Sequence, residues 1–477
     1  MKKQINRFYT FFICLYWCCI STTIAQKQEA LKSDKKPSDT NVATAWAELN
    51  VLLMTGTRFN TPTYGSRALG YIGLTMYETV VAASPRYRSV AKTLCDTLRL
   101  PKPPKIFCPE LALNAGQAYM LNAFFGFANK QKLIDSLEKK VYQQYAARFT
   151  PSIAAASAEY GKKIAARIFE WSKSDGGNNG WDRNFPKDYV RPEGPGLWVP
   201  PLIGQSNSKI PMHPTWGENR TFSKKNAKLP TPKPLVYSED TASTYYKEYK
   251  EVYDYEKILT DTTRATVLWW GDDPTETCSP PGHSYHLATI AIWNSNADLL
   301  KATQTYARVG MAVADAFVCC WKTKFTYMVE RPASFINKFL YRNPKAQIPW
   351  LPFFLEPPFP AFYSGHAVQS AATATVLTEL YGTDFAFIDD THVKRPDRHY
   401  MIIDLDNLNG KNSGRSIPKF SRHTMVYLPR PYRSFWEAAQ ECADSRLMGG
   451  IHTRHDNKIG LQEGIKIGKN INALRWN

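Results

Sequence analysis

The chain has 477 residues, 43% of them hydrophobic and 13% aromatic, enough apolar side chain to bury a large core. Its formal net charge is +18, which suits an anionic partner. The Lys and Arg residues are scattered and form no nucleic-acid-binding motif, so nucleic acid is excluded as the expected partner.

The opening "MKKQINRFYTFFICLYWCCISTTIAQ" has a basic start, an apolar run and a small-residue end at Ala25. This reads as a secretory signal over 1–25, and it predicts a secreted or periplasmic protein. Bulky Tyr16 and Trp17 ahead of Cys18 and Cys19 argue against a lipid anchor. No later stretch offers ~20 uninterrupted apolar residues, so no integral membrane segment is expected once the signal is removed. Six cysteines then remain, without a CxxC pair and hence without that kind of zinc site. Cys95 and Cys108 flank a Pro-rich loop and are the expected disulfide of an exported chain. Cys319 and Cys320 sit in an apolar helical run and read as buried thiols.

Residues 26–40 are polar and are expected to be a disordered linker. Helical spacing begins near 41, with Val42, Trp46, Leu49 and Leu53 on one stripe and Leu69, Ile72, Met76 and Val80 on another. Further helices are expected over 110–147, 152–174, 240–258, 283–318, 431–448 and 451–472. A stretch at 176–236, rich in Gly, Pro, Asn and Trp, is expected to shape a pocket, as structureless loops of that length usually do. A polar insertion occupies 386–430. No run shows the alternation of a large sheet. The expected class is all-α: a large helical bundle with long irregular loops, divided into an N-terminal helical region at 41–260 and a C-terminal catalytic core at 261–477.

Three segments carry chemistry. In "WKTKFTYMVERP" Lys324 and Arg331 are seven apart, about two helical turns, so both are expected to face one side. Pro332 disfavours the helical region for Arg331 and places it at the helix end. In "FYSGHAVQSAATATVLTEL" Ser364 is a good N-cap, and Gly365 and His366 follow where free amides attract an anion. In "SRLMGGIHTRHD" Gly449 and Gly450 break the helix between Arg446 and His452. His452 and Asp456 are then expected as an i,i+4 pair on the next helix, the carboxylate fixing the imidazole tautomer.

Each segment alone has an ordinary reading: a basic pair at a helix C-terminus, a cap, a surface His–Asp pair. Together they supply three cations, a hydroxyl, a helix-start amide and two histidines. That set suits a tetrahedral or trigonal-bipyramidal oxyanion such as phosphate or vanadate, whose oxygens match guanidinium forks. Elsewhere His283 and His286 are spaced for a shared metal but lack a nearby third ligand, so they read as structural or pocket-lining. Asp272 and Asp273 read as a turn device.

The order K-x6-RP, SGH, SR-x5-H-x3-D resembles the signature of the vanadium-dependent haloperoxidase family, within the superfamily that includes the type 2 phosphatidic acid phosphatases. The family's middle motif is P-S-G-H; here Tyr363 replaces the Pro, which deletes no anion-binding group. "WWGDDPTETCSPPGHSYHLA", "GPGLWVPP" and "RPYRSFWEAAQECADSRLMGGIH" also resemble the haloperoxidases.

The resemblance implies vanadate as cofactor, with Lys324, Arg331, Ser364, Gly365 and Arg446 binding its oxygens. It implies His452 as the metal ligand, Asp456 as its orienting partner and His366 as the acid–base residue. Trp321 and Phe359 match positions lining the halide side of chloroperoxidase-like pockets. The implied activity is oxidation of halide by hydrogen peroxide to a hypohalous-acid equivalent that halogenates an organic acceptor, with Lys324 polarising the peroxide. Iodide, bromide and chloride stay open, as does a homodimer. The alternative is an acid phosphatase that attacks a phosphate ester through a phosphohistidine at His452 and is inhibited by vanadate. A non-catalytic oxyanion binder is a third reading, which would leave His366 without work.

Overall fold

The structure is a computed structural model that describes residues 42–57, 60–274, 276–341, 349–404 and 419–477; the leader and linker expected at 1–25 and 26–40 lie outside them. The helices run in the order α1 (Val42–Met54), α2 (Pro62–Val80), α3 (Pro109–Phe125), α4 (Gln131–Ala146), α5 (Pro151–Ser172), α6 (Lys224–Ala227), α7 (Thr244–Glu256), α8 (Asp261–Trp269), α9 (Ser279–Asn294), α10 (Leu299–Tyr327), α11 (Pro332–Phe335), α12 (Gly365–Tyr381), α13 (Phe435–Met448) and α14 (Arg454–Asn472). The all-α class expected from the periodicity is what the chain adopts.

Local chemistry sets where the helices start. Thr61, Thr150, Asp298, Ser364 and Thr453 each cap a helix by accepting an N–H two or three residues into its first turn. Two of the runs with helical spacing each fold as more than one helix. The 110–147 run breaks at Gly126–Lys130, where Asn129 turns left-handed at φ 55°. The 283–318 run is divided between α9 and α10, where Asn296 is left-handed and Asp298 caps the second helix.

Two helix pairs hold the bundle. The 29-residue α10 crosses α2 at Gly310, where a Cβ would collide with Leu69 O. Helix α14 packs on α12 through Gly460 and Gly464. A Cβ on Gly460 would stand 2.9 Å from Ser364 O, and one on Gly464 would collide with Val368 O. Only bare backbone permits that approach. It brings the first turn of α14 against the start of α12.

The 176–236 stretch is largely irregular but firmly stitched. Trp198 N donates to Met328 O at 2.6 Å and Met212 N to Pro358 O at 2.8 Å. The insertion at 386–430 is not wholly irregular. β1 (Phe387–Asp389) pairs antiparallel with β4 (Arg430–Tyr432), and β2 (Arg398–Asp404) pairs antiparallel with β3 (Lys419–Met425), with Tyr400 opposite His423. These strands are short, three to seven residues, and carry no sustained alternation of apolar and polar residues, so they escape sequence reading.

The six cysteines among the described residues are all free. Cys95 and Cys108 do not form the expected disulfide: both thiols are free, and that of Cys108, the N-cap residue of α3, donates to Glu110 Oε2 at 3.2 Å. Among the described residues no helix is long and apolar enough to cross a membrane.

Candidate active site

The last turn of α10 carries Lys324. Its side chain is wholly buried, and Nζ donates to the carbonyls of Pro360 at 2.8 Å and Ala361 at 2.6 Å. The helix ends at Tyr327 because Met328 turns left-handed and donates its N–H to Lys324 O. Arg331 therefore does not share a helix face with Lys324, as the seven-residue spacing suggested. It lies in extended backbone (φ −85°, ψ 156°) and is the N-cap residue of α11. Its guanidinium still returns to the same place: Nε donates to Phe359 O and Nη1 to Ile451 O, both at 2.9 Å.

Ser364 caps α12 and is wholly buried. Its backbone N–H donates to Asp456 O at 3.2 Å, a direct tie to the first turn of α14. Gly365 and His366 open the helix, and His366 Nε2 is buried with no hydrogen-bond partner among the described residues.

Arg446 sits in the last turn of α13, its Nη2 on Val267 O at 3.1 Å. Its buried Nη1 has no partner among the described residues. The Gly449–Gly450 break, with Gly450 at φ 77°, then turns the chain. His452 does not lie on α14 as the i,i+4 spacing suggested; it precedes the N-cap Thr453, and Asp456 is the third helical residue. The contact is kept through the capping geometry. Asp456 Oδ2 accepts the N–H of Thr453 at 3.3 Å and lies 3.0 Å from His452 Nδ1. An ionised Asp456 requires the proton on Nδ1, which leaves the lone pair on Nε2, 3.2 Å from Arg331 Nη1.

These groups feel one another. Burial pushes His452 well below its ordinary range, and Arg331, Lys324, His366 and Arg446 add to the shift. Burial, then the Arg446 charge, lowers His366 in the same way. Lys324 is lowered to about 7, chiefly by burial and then by Arg331. Burial also raises Asp456, against the pull of Lys324. A second carboxyl, Glu356, is buried near Arg331 with Oε1 on Ala333 N at 3.1 Å, and burial raises it to about 7. Three wholly buried cations thus face a deficit of negative charge. Such a deficit is costly unless an anion offsets it.

A cavity of about 1150 Å³ reaches this region. Gly365, His366, His452, Trp321 and Phe359 all line it. The Trp321 and Phe359 rings lie 4.8 Å apart, centroid to centroid. The indole N–H is already used on Met212 O at 3.2 Å. The Phe359 ring lies 5.4 Å from Lys324 Nζ and 5.1 Å from the Arg331 guanidinium carbon, so it shields both cations.

One cluster was missed. Asp272 does sit in the turn after α8, but its carboxylate also meets His283 and His392, a contact that the turn reading leaves out. His283 and His286 do not share a partner, since His283 faces Asp389 and His286 faces Asp390, each at 2.8 Å. The paired acidic residues at 389 and 390 echo the paired histidines three apart, but across roughly a hundred residues no local pattern announces the match.

Fold and site define a class: a helical bundle whose helix ends build a buried cationic pocket at the edge of a large cavity. The sequence profile of the VCPO second helical-bundle domain matches residues 304–475, the stretch that supplies every cation of that pocket. The vanadium chloroperoxidase of Curvularia inaequalis is 27% identical over 225 residues, 40% of this chain; the match spans only 36% of that relative's length. The crystal structure of the first bacterial vanadium-dependent iodoperoxidase superposes with a TM-score of 0.73 at 28% identity, covering 90% of this chain and 95% of that one. An apo-type bacterial vanadium-dependent chloroperoxidase superposes at 0.61 with 14% identity, over 87% of this chain and 93% of that one, a likeness of fold alone. Over residues 304–475 the chain is similar to the vanadium haloperoxidases, whose second helical-bundle domain it matches there.

Proposed function

We propose that the chain is an exported, vanadate-dependent haloperoxidase that uses hydrogen peroxide to oxidise halide to a hypohalous-acid equivalent, which halogenates an organic acceptor. The observation that carries this reading is the cationic pocket itself, with Arg446 Nη1 and His366 Nε2 buried and unpartnered. The residues fit vanadate: Lys324, Arg331, Arg446, Ser364 and the Gly365 amide would hold its oxygens, and His452 Nε2 would offer the lone pair to the metal. When bound, vanadate supplies a Lewis acid of constant oxidation state that activates peroxide toward halide.

The chain's own residues do the rest. Asp456 fixes the His452 tautomer and keeps Nε2 a donor of electrons rather than of a proton. Lys324, anchored on two carbonyls, holds positive charge where negative charge develops on oxygen. His366, kept neutral at pH 7 by burial, would hold at Nε2 the proton given up by hydrogen peroxide and pass it on to the oxygen that leaves as water, with no net change in protons. The Trp321–Phe359 wall presents apolar surface to a weakly hydrated halide, and the buried cations attract it. The likeness to a bacterial iodoperoxidase over nine-tenths of the chain supports iodide as the preferred halide. The basic, apolar, small-residue leader supports export.

The same pocket also suits phosphate, with His452 Nε2 as nucleophile and His366 as the acid for the leaving group. The test runs both reactions on one sample. Protein incubated with vanadate is assayed for oxidation of iodide, bromide and chloride by peroxide, and vanadate-free protein for hydrolysis of p-nitrophenyl phosphate. Halide oxidation that needs vanadate supports the proposal. Ester hydrolysis blocked by vanadate, with no halide oxidation, would replace it by the phosphatase.

A further inference from the structure

Gly271 and Asp272 form part of the cavity wall, and Asp272 reaches from there into a buried cluster that the oxyanion chemistry does not use. Asp272 sits in the turn between α8 and α9 with a left-handed φ of 50°, a strained conformation for a residue with a side chain. Its Oδ2 lies 3.0 Å from His283 Nδ1 and its Oδ1 2.9 Å from His392 Nε2. Asp272, His283 and His392 are all buried, and their three ligand atoms lie within 4.8 Å of one another.

Behind His283 stands a second carboxylate. His283 Nε2 lies 2.8 Å from Asp389 Oδ2, which also accepts from Trp269 Nε1 at 3.0 Å, while Asp389 Oδ1 accepts from Thr391 N at 3.0 Å. A carboxylate receiving this many donors is held ionised. His283 Nε2 therefore carries a proton toward Asp389, and the contact between Nδ1 and the Asp272 carboxylate, 3.0 Å, is one that a proton holds without metal and that a cation would take over by displacing it. Two imidazole nitrogens and one carboxylate oxygen converge, with a carboxylate–histidine contact orienting one of them. Proteins hold divalent zinc-like ions in this way.

We propose that Asp272, His283 and His392 bind one divalent transition-metal ion of the zinc type, with Asp389 as the positioning residue for His283. Two imidazoles and a carboxylate favour zinc over calcium or magnesium, which prefer oxygen shells. Binding would displace the proton between His283 Nδ1 and Asp272, and the ion would then offset the negative charges of Asp272 and Asp389. The ion ties together three segments: the turn after α8, helix α9, and the residues that follow β1.

The test uses the full, tag-free chain, stripped by chelator and free of vanadate. It is titrated with Zn²⁺ and Co²⁺, with metal content measured by mass spectrometry and the Co²⁺ visible spectrum recorded. The expected result is one Zn²⁺ per chain, a Co²⁺ spectrum of a four- or five-coordinate nitrogen–oxygen site bleached by Zn²⁺, and a higher Tm with Zn²⁺. His392→Gln should abolish stoichiometric binding. Asp389→Asn should weaken it about 10- to 100-fold. His452→Ala in the oxyanion pocket and His423→Gln on the β2–β3 hairpin should leave it unchanged. Absence of stoichiometric binding to the wild type would mean that a proton on His283 Nδ1 fills the position, and would overturn the proposal. So would binding that survives Asp389→Asn at full strength, or that disappears with His423→Gln or His452→Ala. The wild-type and Asp389→Asn titrations decide the matter even where His392→Gln does not fold.

Discussion

Asp456 Oδ2 lies 3.0 Å from His452 Nδ1, and the same carboxylate belongs to the capping box that starts α14. One side chain thus fixes both where the helix begins and which nitrogen of His452 keeps its lone pair. Asp456→Asn should leave the fold in place, at a cost of about 1 kcal/mol for the weakened cap. It should raise the vanadate concentration for half-maximal halide oxidation by about 10- to 100-fold. An unchanged half-saturation point would separate Asp456 from the site.

His366 offers a split between binding and chemistry. Its Nε2 has no partner among the described residues, and the oxyanion has other donors in Lys324, Arg331 and Arg446. His366→Ala should therefore change vanadate affinity only a few-fold while lowering kcat by about 10²- to 10⁴-fold, the usual span for a proton-transfer group. Loss of affinity with kcat intact would assign His366 to binding alone.

Lys324 predicts a proton linkage. Burial lowers its ammonium to about 7 in the anion-free pocket. A bound oxyanion favours the charged form, so binding takes up a proton above that pH. Affinity should then fall as pH rises from about 7, by up to tenfold per unit until the ammonium of the bound state also titrates. Calorimetric titration with phosphate in buffers of different ionisation heat measures the uptake. The difference between wild type and Lys324→Met removes the anion's own titration. Identical proton uptake in the two would contradict the linkage.

The close packing of α14 on α12 carries a prediction about the scaffold. Gly464→Ala puts a methyl group into Val368 O, in helix backbone that cannot move aside alone. Such overpacking should cost about 1–3 kcal/mol, seen as a lower Tm. It should also weaken oxyanion binding, since α14 carries Asp456 and abuts Ser364. An unchanged Tm would show that the helices separate freely.

Much of this site is legible in the sequence because its chemistry depends on residue type. Lys324, Arg331, Ser364, Gly365, His366, Arg446, His452 and Asp456 could be named from three short segments, and the structure brings them to one pocket. What the spacing misjudged is the backbone between them. Left-handed Met328 stops α10 before Arg331, and the Thr453 cap excludes His452 from α14. Both side chains arrive all the same, through tertiary hydrogen bonds that spacing rules do not contain. The cluster around Asp272 was invisible for a related reason. Its partners His283, Asp389 and His392 lie on three elements, and the residues after β1 are placed by packing rather than by any local pattern. Cys95 and Cys108, by contrast, are paired by compartment and loop composition alone, which carry no distance information, and both thiols are free.

The central claim is that three buried cations and two imidazoles form one pocket for a vanadium-bound oxyanion. Equilibrium vanadate binding, followed on the same sample as peroxide-dependent iodide oxidation, tests it most directly, with Arg446→Ala and His452→Ala alongside the wild type. The account predicts one vanadate per chain, iodide oxidation rising in proportion to occupancy, and loss of both in each variant. Vanadate binding and oxidation that persist in Arg446→Ala and His452→Ala, or a wild type that binds no vanadate, would contradict it.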